Sequence, residues 1–209
     1  MVLREKRFWK FLAFVFLMSF VRKVYRYLDA IFGKYAERVL GPTTPWATII
    51  SLNSILIIFL VPLATPLSFY VNGYTQILIG SLISGLSPLA LAISPSVPAA
   101  VSFVVLLSVG EAIWSPRYYE YQVSIIEKGK EGIYLGLGTS QLFFSAALSG
   151  IIGGSLVEEY CPPPPAEQSP RLLWGIIGAT TMLSFIGLVV FRRWIELFPV
   201  KPPDPDTIQ

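Results

Sequence analysis

The chain has 209 residues, of which 54% are hydrophobic and 14% charged, with one cysteine and no histidine. Its mean hydropathy of +0.63 excludes a soluble domain of ordinary balance, because so much apolar surface cannot be hidden from water in a fold of this size. The net charge of +3 is small and its basic residues sit at the ends of apolar runs, which excludes a nucleic-acid partner.

Taking about 20 apolar residues per membrane crossing, the sequence predicts an all-α membrane protein with six transmembrane helices. The segment MVLREKRFWKFLAFVFLMSF has the basic head and apolar middle of a signal peptide, but it continues into VRKVYRYLD without a small-residue cleavage site, so it is read as a retained first span over residues 8–33. The second span covers 45–69, with Asn53 inside it and prolines towards its far end. The third covers 77–93, and SPSVP makes a tight turn into the fourth, 97–120. A charged connector, YQVSIIEKGKEG, leads to the fifth span, 133–157. The proline run CPPPP after it cannot be helical and is expected in water. The sixth span is 172–197, and residues 198–209 are expected to be a disordered tail.

Lysines and arginines are distributed unevenly between alternate loops. Arg4, Lys6, Arg7, Lys10, Lys128, Lys130, Arg192, Arg193 and Lys201 fall on one side, against Lys34, Arg38 and Arg171 on the other. This bias predicts a multi-pass protein with both termini in the cytoplasm. The loop bearing Cys161 then faces the opposite compartment.

Charges inside apolar spans need a reason, since an ionisable group at the bilayer centre costs about 2.5–3.5 kcal/mol on insertion scales. In the first span Arg22, Arg26 and Asp29 have the spacing i, i+4, i+7 and share one helix face, with Tyr25 at its border, while Lys23 and Tyr27 point elsewhere. In the fourth, Glu111, Ser115, Tyr118 and Gln122 form a stripe, with Arg117 and Glu120 opposite and Pro116 bending the helix. Arg117 and Glu120 lie close enough to the end of the span to reach the headgroups. Glu111 lies midway, out of a short carboxylate's reach of water, and is expected to face a cavity. Arg22 and Arg26 are expected to face the same cavity, whereas Asp29 could equally be their counter-ion. The small residues Gly132, Gly136, Ala146, Gly150 and Gly154 of the fifth span, and Ser81 with Gly85 of the third, make ridges read as plain helix packing. Asn53 could be an interhelical hydrogen bond.

Two stretches carry a family resemblance. GEAIWSP, Gly110 to Pro116, resembles the GExxxSP-type motif on the tenth helix of the proton-dependent oligopeptide transporter family, and SLNSILIIFLVPL resembles that family's eighth helix. The resemblance implies the C-terminal six-helix half-bundle of a major facilitator superfamily transporter, the first span here matching the seventh helix and the last the twelfth. It further implies that Glu111 and Asn53 help bind the amino end of a substrate. The family's Asn-Pro reads Asn53-Ser54 here, and RKVYRYLD is more charged than the family pattern, so the resemblance carries the superfamily further than it carries a peptide substrate.

The functional expectation is therefore one half of a proton-coupled secondary carrier for a small polar or zwitterionic solute. Arg22, Arg26, Asn53, Glu111 and Tyr118 are the expected substrate contacts, and Glu111 and Asp29 the expected proton-coupling groups. The chain is then a fragment, or a half-size protein that pairs with an N-terminal six-helix half or a second copy of itself, since such carriers hold substrate between two halves. The alternative is a non-transporting scaffold or regulatory half-carrier that assembles through its glycine ridges. Neither a catalytic constellation nor a metal or cofactor motif is present in the sequence, and an enzyme is not expected.

Overall fold

The computed structural model describes residues 5–66, 70–126 and 129–195; the expected tail at 198–209 and the basic residues Arg4, Lys128 and Lys201 lie outside them. Every regular element among the described residues is helical. The long helices are α1 (Lys6–Ala30), α3 (Trp46–Ala64), α4 (Gly73–Leu86), α6 (Val97–Ile125), α7 (Glu131–Tyr160) and α8 (Pro170–Val190), with short pieces α2 (Phe32–Tyr35), α5 (Leu89–Ile93) and α9 (Arg192–Ile195).

Five helical stretches are long and apolar enough to cross a membrane: Trp46–Ala64, Gly73–Ile93, Val97–Ser124, Glu131–Tyr160 and Pro170–Val190. Helix α1 has the length, with 25 residues, but Lys10, Arg22, Lys23, Arg26 and Asp29 break its apolar run. The boundaries have local causes. α1 ends at Ala30, and the chain continues through α2 into a π-helical turn, Ala36–Leu40, closed by Gly41 at φ 108°, a conformation that favours glycine. α4 opens where Asn72 accepts a hydrogen bond from the Tyr74 amide at 2.9 Å. It is interrupted at Ser87 and Pro88, and α5 resumes its course. α6 opens on the Ser96 cap with Pro98 in its first turn, and it stays helical through Pro116 as far as Ile125. The connector expected from Tyr121 thus begins five residues late. The last span is shorter than expected: α8 stops at Val190, and α9 follows as a separate turn.

The helices pack in the series α3, α6, α4 with α5, α8, α1, α7, and α1 runs parallel to α7, with Phe11 against Gly138 and Tyr27 against Gly153. α3 stands at one end, and Ile49 is its single fully buried side chain. Two apolar cores fill the two ends of the bundle. One gathers Phe11, Phe14 and Met18 of α1 with Tyr74, Trp114, Tyr118, Tyr121, Tyr134 and Leu188. The other gathers Tyr27, Ile31, Phe32 and Tyr35 with Phe103, Leu107, Trp174 and Ile177.

Close helix contact occurs where Gly80 of α4 meets Gly110 of α6. A methyl group on Gly80 would lie 2.7 Å from the Gly110 carbonyl oxygen, and one on Gly110 would lie 2.8 Å from the Gly80 carbonyl and collide with the Ser84 hydroxyl. Ser81 is likewise buried, and Gly85 lies against Met182. The α7 ridge behaves otherwise, and its expected role in packing is overturned. A methyl on Gly132, Gly136, Gly150 or Gly154 meets nothing within 4 Å, and Ala146 is exposed. The packed glycines of α7 are instead Gly138, against Gln122, and Gly153, against Tyr27 and Ile31.

The proline loop is also only partly as expected. Residues 163–167 are exposed, but Cys161 is fully buried. Arg38 pins this end, donating to both Glu158 carboxylate oxygens at 3.0 and 3.1 Å and to the Cys161 carbonyl at 3.0 Å. Gln168 adds a bond to the Pro162 carbonyl at 2.9 Å.

Candidate functional site

Between the two apolar cores lies a cavity of about 230 Å³ whose walls come from α1, α3, α6 and α7. Arg22, Arg26 and Asp29 reach it from α1, Asn53 from α3, Glu111 from α6 and Ser145 from α7. The placement of Glu111 follows from its neighbour. Gly110 must face α4 because only a residue without a side chain fits that crossing, and a rotation of about 100° per residue along the helix turns position 111 away from α4 towards the cavity.

Glu111 is held from α3. The Asn53 side-chain amide donates to Glu111 Oε2 at 3.3 Å and to Ser108 Oγ at 3.0 Å. Ser108 in turn donates to the Val104 carbonyl at 2.8 Å, so its oxygen is available to accept from Asn53. Asn53 is thus the interhelical bridge that the sequence left open, and it joins a helix otherwise lightly buried to the centre of the bundle.

Arg22 is held by rings. Its guanidinium carbon lies 5.2 Å from the Trp114 ring centre, 5.0 Å from Tyr118 and 5.5 Å from Tyr119. Its Nη2 donates to the Tyr119 hydroxyl at 3.0 Å, while Nε is buried without a hydrogen-bond partner. A planar cation stacked on aromatic faces keeps its charge while shedding water. Arg26 and Asp29 form a looser pair at 3.9 Å, and both are open to solvent.

Tyr25 fixes the floor of the cavity. Its hydroxyl donates to the Leu107 carbonyl at 3.1 Å, accepts from Trp114 Nε1 at 3.3 Å and meets Ser84 Oγ at 3.1 Å. With its one proton given to Leu107, the Ser84 contact has Ser84 as donor. Helices α1, α4 and α6 are therefore tied together directly beneath the charged groups.

The cavity brings together Arg22, Arg26, Asp29, Asn53 and Glu111. Tyr118 does not line it. That side chain is fully buried, stacked on Phe14 at 5.5 Å, with its hydroxyl accepting from Gln122 at 2.5 Å. Its ring supports Arg22 instead. Arg117 and Glu120 pair with each other at 2.5 Å, away from the cavity. Lys23 also lies outside it, buried beside the Phe20 ring. Trp114, Tyr119, Ser108 and Ser145 were not singled out by spacing as site residues. An aromatic in an apolar helix reads as core, and the α7 serine was masked by the glycine ridge.

The arrangement offers a cation at Arg22, a hydrogen-bonded carboxylate at Glu111 and a neutral amide between helices, around one chamber that opens to solvent past Arg26 and Asp29. Among the described residues no group of three metal-ligating side chains forms a site. Searches against protein-family models, curated proteins and solved structures find nothing that matches this chain.

Proposed function

We propose that the chain is a six-helix unit of a proton-coupled secondary carrier of the major facilitator type, in which α1 is the sixth membrane-spanning helix and both termini are cytoplasmic. The observation that carries this reading is the convergence of Arg22, Arg26, Asp29, Asn53 and Glu111 on one chamber midway along an otherwise apolar bundle. Ionisable groups at that depth mark solute and ion pathways far more often than they serve packing. The chamber's volume of about 230 Å³ falls below the roughly 300–1,000 Å³ of complete small-molecule sites, which suits one wall of a site completed by a second unit. That unit is an N-terminal six-helix half or a second copy.

In this mechanism Arg22 and Arg26 receive the anionic end of a small zwitterionic solute, and the Asn53 side-chain carbonyl receives its cationic end. Protonation of Glu111 removes the negative charge that competes with the solute's anionic end for Arg22 and Arg26, so proton and solute load together and move in the same direction. Rocking of the bundle against its partner then moves the loaded site between the two faces of the membrane.

Reconstitution tests it. Proteoliposomes carrying the assembled protein should accumulate zwitterionic solutes, screened as amino acids and dipeptides, when an inward proton gradient is imposed. Glu111→Gln, whose amide can still accept from Asn53 but cannot cycle a proton, should abolish gradient-driven uptake and spare solute exchange. Unchanged pH-dependent uptake by that variant would overturn the assignment of coupling to Glu111. A non-transporting scaffold is the second reading, favoured by the open glycine face of α7. It expects Glu111→Gln to leave assembly and biological role intact with no uptake in any form of the protein.

A further inference from the structure

A second hollow lies at the other side of α1. It is a groove of about 490 Å³ between α1, α7 and α9, lined chiefly by Trp9, Leu12, Ala13, Phe16, Phe144 and Trp194. Its aromatic walls are open, with Phe16 62% and Phe144 65% exposed. Two serines also line it, and both are spent on their own helices: Ser19 donates to the Phe16 carbonyl and Ser140 to the Leu137 carbonyl, each at 2.6 Å. Neither serine hydroxyl has a proton left for a polar solute, and the rest of the lining is apolar or aromatic, so the groove favours hydrocarbon.

Its length and its mouth narrow the choice. The groove follows α1 from Trp9 to Ser19, which at 1.5 Å per residue is roughly 15 Å, the depth of one leaflet of a hydrocarbon core about 30 Å thick. At the Trp9 end stand Lys6 and Lys10, each three residues before a lining position (Trp9 and Ala13) and so on the same side of the helix, and Arg193 next to Trp194. Among the described residues near this end, Glu5 is paired with Lys130 and the Glu131 carboxylate accepts from the Gly129 amide. Arg192 is stacked over the Tyr74 ring at 5.7 Å. Among the described residues the mouth has a local excess of positive charge beside two tryptophans, the composition of a headgroup-level belt.

We propose that this groove is a binding site for an anionic phospholipid, with one acyl chain along α1 between Phe16 and Phe144 and the headgroup phosphate among Lys6, Lys10 and Arg193. The inference rests on the reading that α1 lies in a bilayer, and is independent of any transport activity. Lysine stems reach a phosphate at this level while their methylenes stay on apolar surface, and each basic residue near an anionic headgroup adds attraction that salt weakens.

The test uses the full-length protein in phosphatidylcholine nanodiscs doped with lipid dibrominated in one acyl chain, carrying either a phosphatidylglycerol or a phosphatidylcholine headgroup. Bromine quenches tryptophan at short range, and the Trp9→Phe/Trp194→Phe variant supplies the signal from the remaining tryptophans. Quenching of Trp9 and Trp194 by the phosphatidylglycerol lipid should reach half-saturation at a several-fold lower mole fraction than by the phosphatidylcholine lipid. Lys6→Gln/Lys10→Gln/Arg193→Gln should erase that difference, and Ala13→Phe, which fills the groove, should remove the saturable component for both lipids. Equal quenching by the two headgroups means ordinary annular lipid and overturns the proposal, as does a preference that survives the triple substitution. Full competition by millimolar inorganic phosphate would make the site a phosphate site and also overturn it. Failure of the protein to enter nanodiscs would instead remove the membrane reading beneath it.

Discussion

Single residues here gain their meaning from what surrounds them. Arg22 was legible as a cavity residue from its i, i+4, i+7 spacing with Arg26 and Asp29, but its cage was not, because Trp114, Tyr118 and Tyr119 come from a distant helix. A stacked guanidinium is poorly replaced by a compact ammonium. Arg22→Lys is therefore expected to cost about 0.5–2 kcal/mol of stability, read as a lowered melting temperature in detergent, while Arg26→Lys, whose pair is open to solvent, should cost less than about 1 kcal/mol. Cys161 gives a cleaner readout, being the sole cysteine of the chain. Burial pushes its thiol up from the ordinary value of 9 to about 11, against a smaller downward pull from Arg38. Since the thiolate is the reactive form, iodoacetamide labelling of the folded protein at pH 8 should be slow, and fast once the protein is denatured. The sign for stability follows. Below about pH 9 both states hold the thiol proton, and between about 9 and 11 only the unfolded chain loses it, so folding stability should fall through that window. Rapid labelling of the folded chain at pH 8 would contradict the burial of the Cys161 side chain.

Helices show where periodicity informs and where it stops. The pattern located most elements, and it missed chiefly ends: α6 ran five residues further, because nothing between Tyr121 and Ile125 breaks a helix, and α8 stopped early at Val190. Spacing also states which residues share a face without saying which face is inside. Gly132, Gly136, Gly150 and Gly154 do share one, and it points away from the rest of the chain, whereas the decisive close approach is made by Gly80 and Gly110. The contrast can be measured. Gly110→Ala and Gly80→Ala would push a methyl against backbone that has nowhere to move, and each is expected to cost about 1–3 kcal/mol or more. Gly150→Ala meets open space and should fall within about 0.5 kcal/mol of the parent. Thermal unfolding of the three variants in one detergent checks this. Gly110→Ala should also lower uptake by the assembled protein, since the α4–α6 crossing is what aims Glu111 at the cavity.

At the scale of the molecule, two apolar cores clamp the ends of the bundle and the charged chamber occupies the level between them, where α1 is charged along one face. The series of helices ends at α3 and α7, and both ends are under-buried: Ile58 and Leu63 of α3 and Phe143 and Ile151 of α7 are each more than two-thirds exposed. Lipid alone would satisfy these apolar side chains, but it would not explain a row of glycines on α7 with nothing against them. Small residues give lipid little area to cover, whereas they let another helix approach closely. Resemblance led the sequence reading to propose a second unit, and the open ridge supports that proposal by a separate route. If a partner helix docks there, Gly136→Leu and Gly150→Leu should leave the melting temperature of the isolated chain almost unchanged, because each leucine projects into empty space, yet prevent assembly. Size-exclusion chromatography with light scattering on the assembled protein would show the loss of the larger species, and solute uptake would fall with it. Ile58→Ala on α3 serves as the control, removing apolar surface without adding bulk. Leucine variants that assemble and transport like the parent would leave lipid as the neighbour of this face, and the chamber between α1, α3, α6 and α7 would then have to be closed from somewhere other than α7.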